Sequence, residues 1–138
     1  MSYPTAKIGE LVKRPPVTLP PLATVEDAVK LMYRENIGSI IVTSPEGRVL
    51  GIFTEKDLVR VIGEGKPLST KLGEVMTKDP TTVREEDTIV KAVTILSEKR
   101  IRHLPIVDSE GRIKGVVSVR DIVSIYKRYL EQLEEVSE

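Results

Sequence analysis

One pattern occurs twice in this chain. Gly51-Ile52-Phe53-Thr54-Glu55-Lys56-Asp57-Leu58 returns as Gly115-Val116-Val117-Ser118-Val119-Arg120-Asp121-Ile122, so position 57 maps onto position 121, 64 residues on. The same offset, without a gap, carries Gly9-Glu10 onto Gly73-Glu74, Pro16 onto Pro80, Thr18 onto Thr82 and Thr24 onto Thr88. It also carries Ala28-Val29 onto Ala92-Val93 and Glu46-Gly47-Arg48 onto Glu110-Gly111-Arg112. Chance does not hold one register across so many matches, so the chain is a tandem repeat. The seam is Gly63-Glu64-Gly65-Lys66-Pro67, a short Gly/Pro-rich linker. This reading divides the chain into a first repeat with its lead-in (1–66), a second repeat (67–126) and a C-terminal helical extension (127–138).

Each repeat has the same coarse plan. An extended stretch (Val17-Thr18-Leu19; Thr81-Thr82-Val83) precedes a hydroxyl residue placed to cap a helix. Helical spacing follows at Val25, Ala28, Val29, Met32 and Tyr33, and again at Ile89, Ala92, Val93 and Leu96. Two short strands come next, near 39–43 and 49–53, with counterparts near 103–107 and 113–117. Pro-Glu-Gly and Ser-Glu-Gly turns join each pair into a hairpin. A second helix starts at Thr54 and at Ser118. The expected fold class is therefore α/β (α+β), two β-α-β-β-α repeats. A lone repeat leaves one apolar face uncovered, so the two are expected to pack over a shared core.

Composition narrows the function. A chain of 138 residues buries about two-thirds of its unfolded surface and needs no staples. It has no cysteine, and His103 is its only histidine, so a metal site is not expected. The 21 basic and 21 acidic side chains balance, which argues against a dedicated nucleic-acid binder. No apolar run reaches a membrane span, and Met1-Ser2-Tyr3-Pro4 does not read as a signal peptide, so a cytoplasmic location is expected. Asn36 and Gln132 are the only side-chain amides among 30% charged residues, a lean toward a thermophilic source. Gly63-Glu64-Gly65-Lys66 lacks the upstream Gly and the Ser/Thr of a P-loop. Nothing marks a nucleophile beside His103, so no catalysis is expected.

The β-α-β-β-α plan, ending in Gly-apolar-apolar-Thr/Ser-x-x-Asp, resembles the cystathionine-β-synthase (CBS) repeat. The resemblance runs from about Ile8 to Tyr126, and Val75-Met76-Thr77 followed by Pro80 adds to it. It implies a pair of repeats around a pseudo-twofold axis, with clefts that bind AMP, ADP, ATP, S-adenosylmethionine or NAD. It implies regulation of a linked or partner protein, no required cofactor, and a flat homodimer formed through helices.

Residue chemistry fits that implication. One carboxylate can accept a charge-assisted bond from each ribose hydroxyl, a role for Asp57 and Asp121. Thr54 and Ser118 stand at helix N-termini, whose free N–H groups suit a phosphate. An adenine needs a flat apolar slot. Val17, Ile37 and Val116 could form it on one side, and Thr81, Ile101 and Ile52 on the other. The bland alternative is that both Thr/Ser-x-x-Asp segments only cap helices. The two roles are compatible.

The repeats also differ. Lys99-Arg100-Ile101-Arg102-His103 stands where the first repeat has Glu35-Asn36-Ile37-Gly38-Ser39. In AMP-binding relatives, basic residues at the places of Arg102 and His103 touch phosphate. Arg102 is the stronger candidate because a guanidinium matches phosphate oxygens with paired donors. Lys56 and Arg120 could assist, while Gly38 and Ser39 give room without charge. His103 also reads as a partly exposed strand residue, and Lys99 and Arg100 as a solvated helix end. Unequal clefts follow.

In the C-terminal extension, Ile122, Tyr126, Tyr129, Leu133 and Val136 form a narrow apolar stripe. It either folds back on its own repeat or meets a second copy or effector. The alternative function is a ligand-independent interaction scaffold working through dimer helices and this extension. The resemblance leaves the regulated partner open.

Overall fold

A computed structural model describes residues 5–12 and 14–137. The start at Met1-Ser2-Tyr3-Pro4 and the side chain of Val136 lie outside the described residues. The elements follow the 64-residue offset closely. Helix α1 (Ile8–Leu11), strand β1 (Thr18–Leu19), helix α2 (Val25–Glu35), strands β2 (Ser39–Thr43) and β3 (Val49–Thr54) and helix α3 (Glu55–Gly63) come first. Helix α4 (Leu72–Val75), strands β4 (Thr77–Lys78) and β5 (Val83–Arg84), helix α5 (Ile89–Lys99), strands β6 (His103–Val107) and β7 (Ile113–Ser118) and helix α6 (Val119–Ser137) complete the chain. The mixed α+β class expected from the repeat is what the chain forms.

Local chemistry sets the element ends. Thr24 and Asp27 exchange bonds in a capping box that starts α2, with Asp27 N–H donating to Thr24 Oγ1 (3.1 Å) and Thr24 N–H to Asp27 Oδ2 (2.9 Å). Thr88 caps α5 through the Lys91 N–H. Both helices end on a left-handed residue, Asn36 and Arg100, each at φ 54°. Gly47 (φ 84°) and Gly111 (φ 79°) provide the positive φ that the hairpin turns need.

The chain divides into two compact bodies that cut across the repeats. One body holds Pro16–Thr81 and the hairpin tip Ser109–Ile113; the other holds Met1–Pro15, Thr82–Asp108 and Lys114–Glu138. The cause is local docking of each lead-in. In the first body, Leu72 N–H donates to the Ala23 carbonyl (2.8 Å), Gly73 N–H to Pro21 (3.0 Å) and Val25 N–H to Thr70 (2.9 Å). In the second, Ile8 N–H donates to Asp87 (2.8 Å), Gly9 N–H to Glu85 (2.9 Å) and Ile89 N–H to Ala6 (3.0 Å), the same pattern 64 residues on. The segment leading into each repeat is thus bonded to the body of the other.

In the first body, β1 runs parallel to β2, and β2-β3-β4 are antiparallel. One sheet face packs Ile40, Val42 and Phe53 against Val25, Ala28 and Met32 of α2, Val61 of α3, and Leu72 and Val75 of α4. Ile41 and Ile52, cross-strand partners on the opposite face, are buried too. In the second body, β5 runs parallel to β6, which neighbours β7. Its core joins Leu104, Ile106 and Val117 to Ile8, Ile89, Ala92, Leu96 and Ile125.

Helix α6 divides the sequence stripe between two faces. Its core-facing residues are Ile122, Ile125 and Tyr129, while Tyr126 and Leu133 are exposed beside Val123 and Leu130. Ile125 and Tyr126 lie about 100° apart around the helix, and the core takes the side that includes Ile125. Helix α6 runs unbroken from Val119 to Ser137, so residues 127–137 continue the last helix of the second repeat.

Leu72 is fully buried and Leu68, four residues earlier, is 42% exposed. Leu72→Ala is expected to lower unfolding free energy by about 2–5 kcal/mol and Leu68→Ala by under about 1 kcal/mol, read by urea denaturation. Equal costs contradict the docking of α4. The Thr24 backbone and hydroxyl bonds hold the Asp27 carboxyl below its ordinary 3.8. Its contribution is therefore present above pH 3.8 and lost as pH falls through the lower folded value. In an acid titration, the stability gap between the native chain and Asp27→Asn should close over that window; a constant gap contradicts this.

Candidate functional site

The two Thr/Ser-x-x-Asp segments start α3 and α6, and each forms a reciprocal cap. Thr54 N–H donates to Asp57 Oδ2 (2.9 Å) and Asp57 N–H to Thr54 Oγ1 (3.4 Å). Ser118 N–H donates to Asp121 Oδ2 (2.8 Å) and Asp121 N–H to Ser118 Oγ (3.1 Å). The capping role is therefore real at both ends. What separates the ends is what else the carboxylates hold.

Asp57 is 7% exposed and its acceptor sites are filled. Oδ2 also accepts the Thr54 hydroxyl (3.2 Å), and Oδ1 accepts Arg60 (3.2 Å) and the Thr77 hydroxyl of β4 (3.0 Å). A carboxylate offers about four lone-pair positions, and four donors occupy them. The same Arg60 nitrogen donates to the Val75 carbonyl at the end of α4. Asp57 and Arg60 thus clamp α3 to the docked segment 72–78. The close approach of that segment also explains Gly51, where a Cβ would lie 2.8 Å from the Thr77 carbonyl oxygen.

Asp121 has a different environment. Its Oδ2 accepts the Ser118 N–H, the Ser118 hydroxyl (2.9 Å) and Arg14 (3.0 Å). Among the described residues, no donor bonds its Oδ1. The side chains of Asp121 and Arg14 are 22% and 51% exposed. The Val119 N–H in the first turn of α6 donates to the Arg102 carbonyl (2.9 Å), which sets Arg102 at this helix end. The equivalent bond in the first body runs from Glu55 N–H to Gly38, so that end carries no guanidinium at this place.

The other sequence candidates distribute between the bodies. Val17, Ile37, Gly38, Ser39, Ile52, Thr54, Lys56, Asp57 and Thr81 belong to the first; Ile101, Arg102, His103, Val116, Ser118, Arg120 and Asp121 belong to the second. Val17 and Ile37 pack against the first core and Ile101 against the second. Ser39, Ile52 and Val116 are buried, Thr81 and His103 half-buried, and Lys56, Arg102 and Arg120 exposed. Both groupings suggested for the adenine slot draw on both bodies.

Sequence reasoning missed Arg14, Arg60 and Thr77. Arg60 carried a signal, the Asp57-x-x-Arg60 spacing of a helical ion pair, and its counterpart 64 residues on is Ser124. Thr77 was in view as part of Val75-Met76-Thr77, without a link to Asp57. A cavity of about 450 Å³ lies in the first body among Ser44, Glu46, Arg48, Leu50, Glu110 and Arg112, and includes none of the candidates. Among the described residues no helix is long and apolar enough to cross a membrane.

The clamp has a measurable consequence. Thr77→Val should cost about 1.5–3 kcal/mol, since it removes a bond to a buried charged group. Asp121→Ala should cost about 1 kcal/mol, the worth of a cap. Chemical denaturation of both variants reads the difference, and a Thr77→Val cost no larger than that of Asp121→Ala contradicts the clamp.

Comparison with known proteins bears on both ends. The CBS domain family matches the chain twice, over residues 8–64 and 72–128. An uncharacterized 17.7 kDa protein of Acidianus ambivalens is 33% identical over 116 residues, which span 84% of this chain and 70% of that protein. A CBS domain protein from Pyrobaculum aerophilum, solved in complex with AMP, superposes with a TM-score of 0.80 at 28% identity. The match covers 84% of this chain and 89% of that one. An inosine-5′-monophosphate dehydrogenase of Methanocaldococcus jannaschii is 32% identical over 117 residues, 85% of this chain but 23% of the enzyme.

Proposed function

The chain belongs to the CBS domain family, and from that premise we propose that it is a non-catalytic sensor of an adenosine-containing ligand that signals to a partner protein. AMP, ADP or ATP is the preferred ligand class. The observation that carries the reading is the doubled Thr/Ser-x-x-Asp helix start, with one carboxylate oxygen of Asp121 left without a donor among the described residues. A ribose diol supplies the missing donors, and the α6 N-terminus offers N–H groups to an anion. The Pyrobaculum aerophilum relative solved with AMP supports the ligand class. The match to under a quarter of a dehydrogenase supports a regulatory role, because the module there is a minor part of an enzyme.

A homodimer is part of the proposal. Val123, Tyr126, Leu130 and Leu133 give α6 an exposed apolar face, with Tyr126 57% and Val123 62% exposed. Such a face favours a helical partner. The same face supports the alternative of a scaffold that works without ligand.

Titration calorimetry with AMP, ADP, ATP, S-adenosylmethionine and NAD separates the two. The sensor binds at least one of them, and an Asp57→Ala/Asp121→Ala double variant loses that binding. No heat at millimolar ligand, or undiminished binding by the double variant, overturns it. Deleting residues 127–138 should abolish dimerisation in either case, as read by sedimentation; an unchanged dimer contradicts the α6 face.

A further inference from the structure

The two aspartates are not equivalent as ligand acceptors, and the difference singles out Arg14. Asp57 already holds four donors, two from the Thr54 cap and two, Arg60 and Thr77, built into the clamp. Asp121 holds three donors, all on Oδ2. Oδ2 of Asp121 carries three donors against about two lone-pair positions, so one of them is loosely held, while both positions of Oδ1 are open to a ribose diol. The Ser118 N–H and hydroxyl are fixed by the start of α6. Arg14 is the donor that can leave: its side chain is half-exposed and it reaches Asp121 from 107 positions away through one nitrogen. Exposed ion pairs of this kind contribute little to stability.

A released Arg14 stays near the site. Its segment remains docked by the Ile8, Gly9 and Ile89 backbone bonds, and Ile8 is fully buried. The 5′ substituent of a nucleoside lies within one side-chain swing of its 2′ and 3′ hydroxyls. A guanidinium freed from one oxyanion there finds another in a 5′-phosphate, which it can bind with paired donors. Arg102, whose carbonyl bonds the first turn of α6, and exposed Arg120 add positive charge at the same end. That charge disfavours the cationic sulfonium of S-adenosylmethionine.

We infer that Arg14 is the exchange residue of the Asp121 site: it occupies the carboxylate when the site is empty and passes to the 5′-phosphate of a bound nucleotide. This end thereby selects 5′-phosphorylated adenosines over uncharged or cationic ones. The inference rests on the proposed nucleotide reading and extends it to ligand selection.

The test is calorimetry of AMP and of adenosine with the full chain, in native form and as Arg14→Ala and Arg14→Gln. Arg14→Ala should bind AMP about tenfold more weakly, the effect of losing one charge-assisted contact. Adenosine should bind as tightly as before or tighter, because its competitor for Asp121 is gone. Arg14→Gln should follow the same direction, since it lacks the charge. The readout is the AMP-to-adenosine affinity ratio, which a merely structural role for Arg14 does not move. Equal changes for both ligands, or none, overturn the inference while leaving the nucleotide site standing. If native protein binds neither ligand, or Asp121→Ala binds both undiminished, the nucleotide reading itself fails and the exchange fails with it.

Discussion

The rest of the structure depends on the backbone bonds that dock residues 70–73 onto the first repeat and residues 6–9 onto the second. Each set is short, about three hydrogen bonds, yet it delivers apolar side chains that the receiving core lacks. Leu72 and Val75 close one core and Ile8 closes the other. Neither repeat has a complete core in its own contiguous sequence. A tandem arrangement is therefore a folding requirement, since each lead-in has to be supplied by the neighbouring repeat's stretch of chain.

That docking also decides what the two matching motifs can do. In the first body the docked segment brings Thr77 and the Val75 carbonyl to Asp57 and Arg60, and the carboxylate becomes an internal fastener. In the second body the lead-in brings Arg14, which makes a single bond to one oxygen of Asp121. The same Thr/Ser-x-x-Asp spacing thus yields a saturated acceptor at one end and an unsaturated one at the other. The difference lies in the donors carried by the docked segments and in Arg60, which the second repeat replaces with Ser124. Arg102 against Gly38 sharpens the contrast.

Much of this was legible in the sequence. The 64-residue register located α2, β2, β3 and α3 and their counterparts, because hydrophobic periodicity and Gly turns are local signals. The short helices α1 and α4 and the strand β4 were not read, since four residues or fewer carry no period. The α6 stripe was legible as apolar but not as inward or outward: Ile122 and Tyr129 pack on the core while Tyr126 and Leu133 are exposed, because spacing alone does not tell the core-facing side from its neighbour. The helix ends at Thr54 and Ser118 were legible both as caps and as acceptors. What no local pattern could reveal was the set of donors on each carboxylate, because Thr77 and Arg14 arrive from 20 and 107 positions away. Ligand chemistry at a repeat motif is a property of its long-range neighbours as much as of its spacing.

The central claim is that two sequence-matched helix ends have different chemistry. Amide NMR of the native chain during an AMP titration tests it most directly. The account predicts that the Ser118, Val119, Arg120 and Asp121 amides and the Arg14 side-chain resonances shift together with one midpoint. The Thr54 to Asp57 amides and the Arg60 side chain should hold still over the same range. Parallel shifts at both helix ends with the same midpoint, or shifts confined to the Thr54–Asp57 end, contradict it.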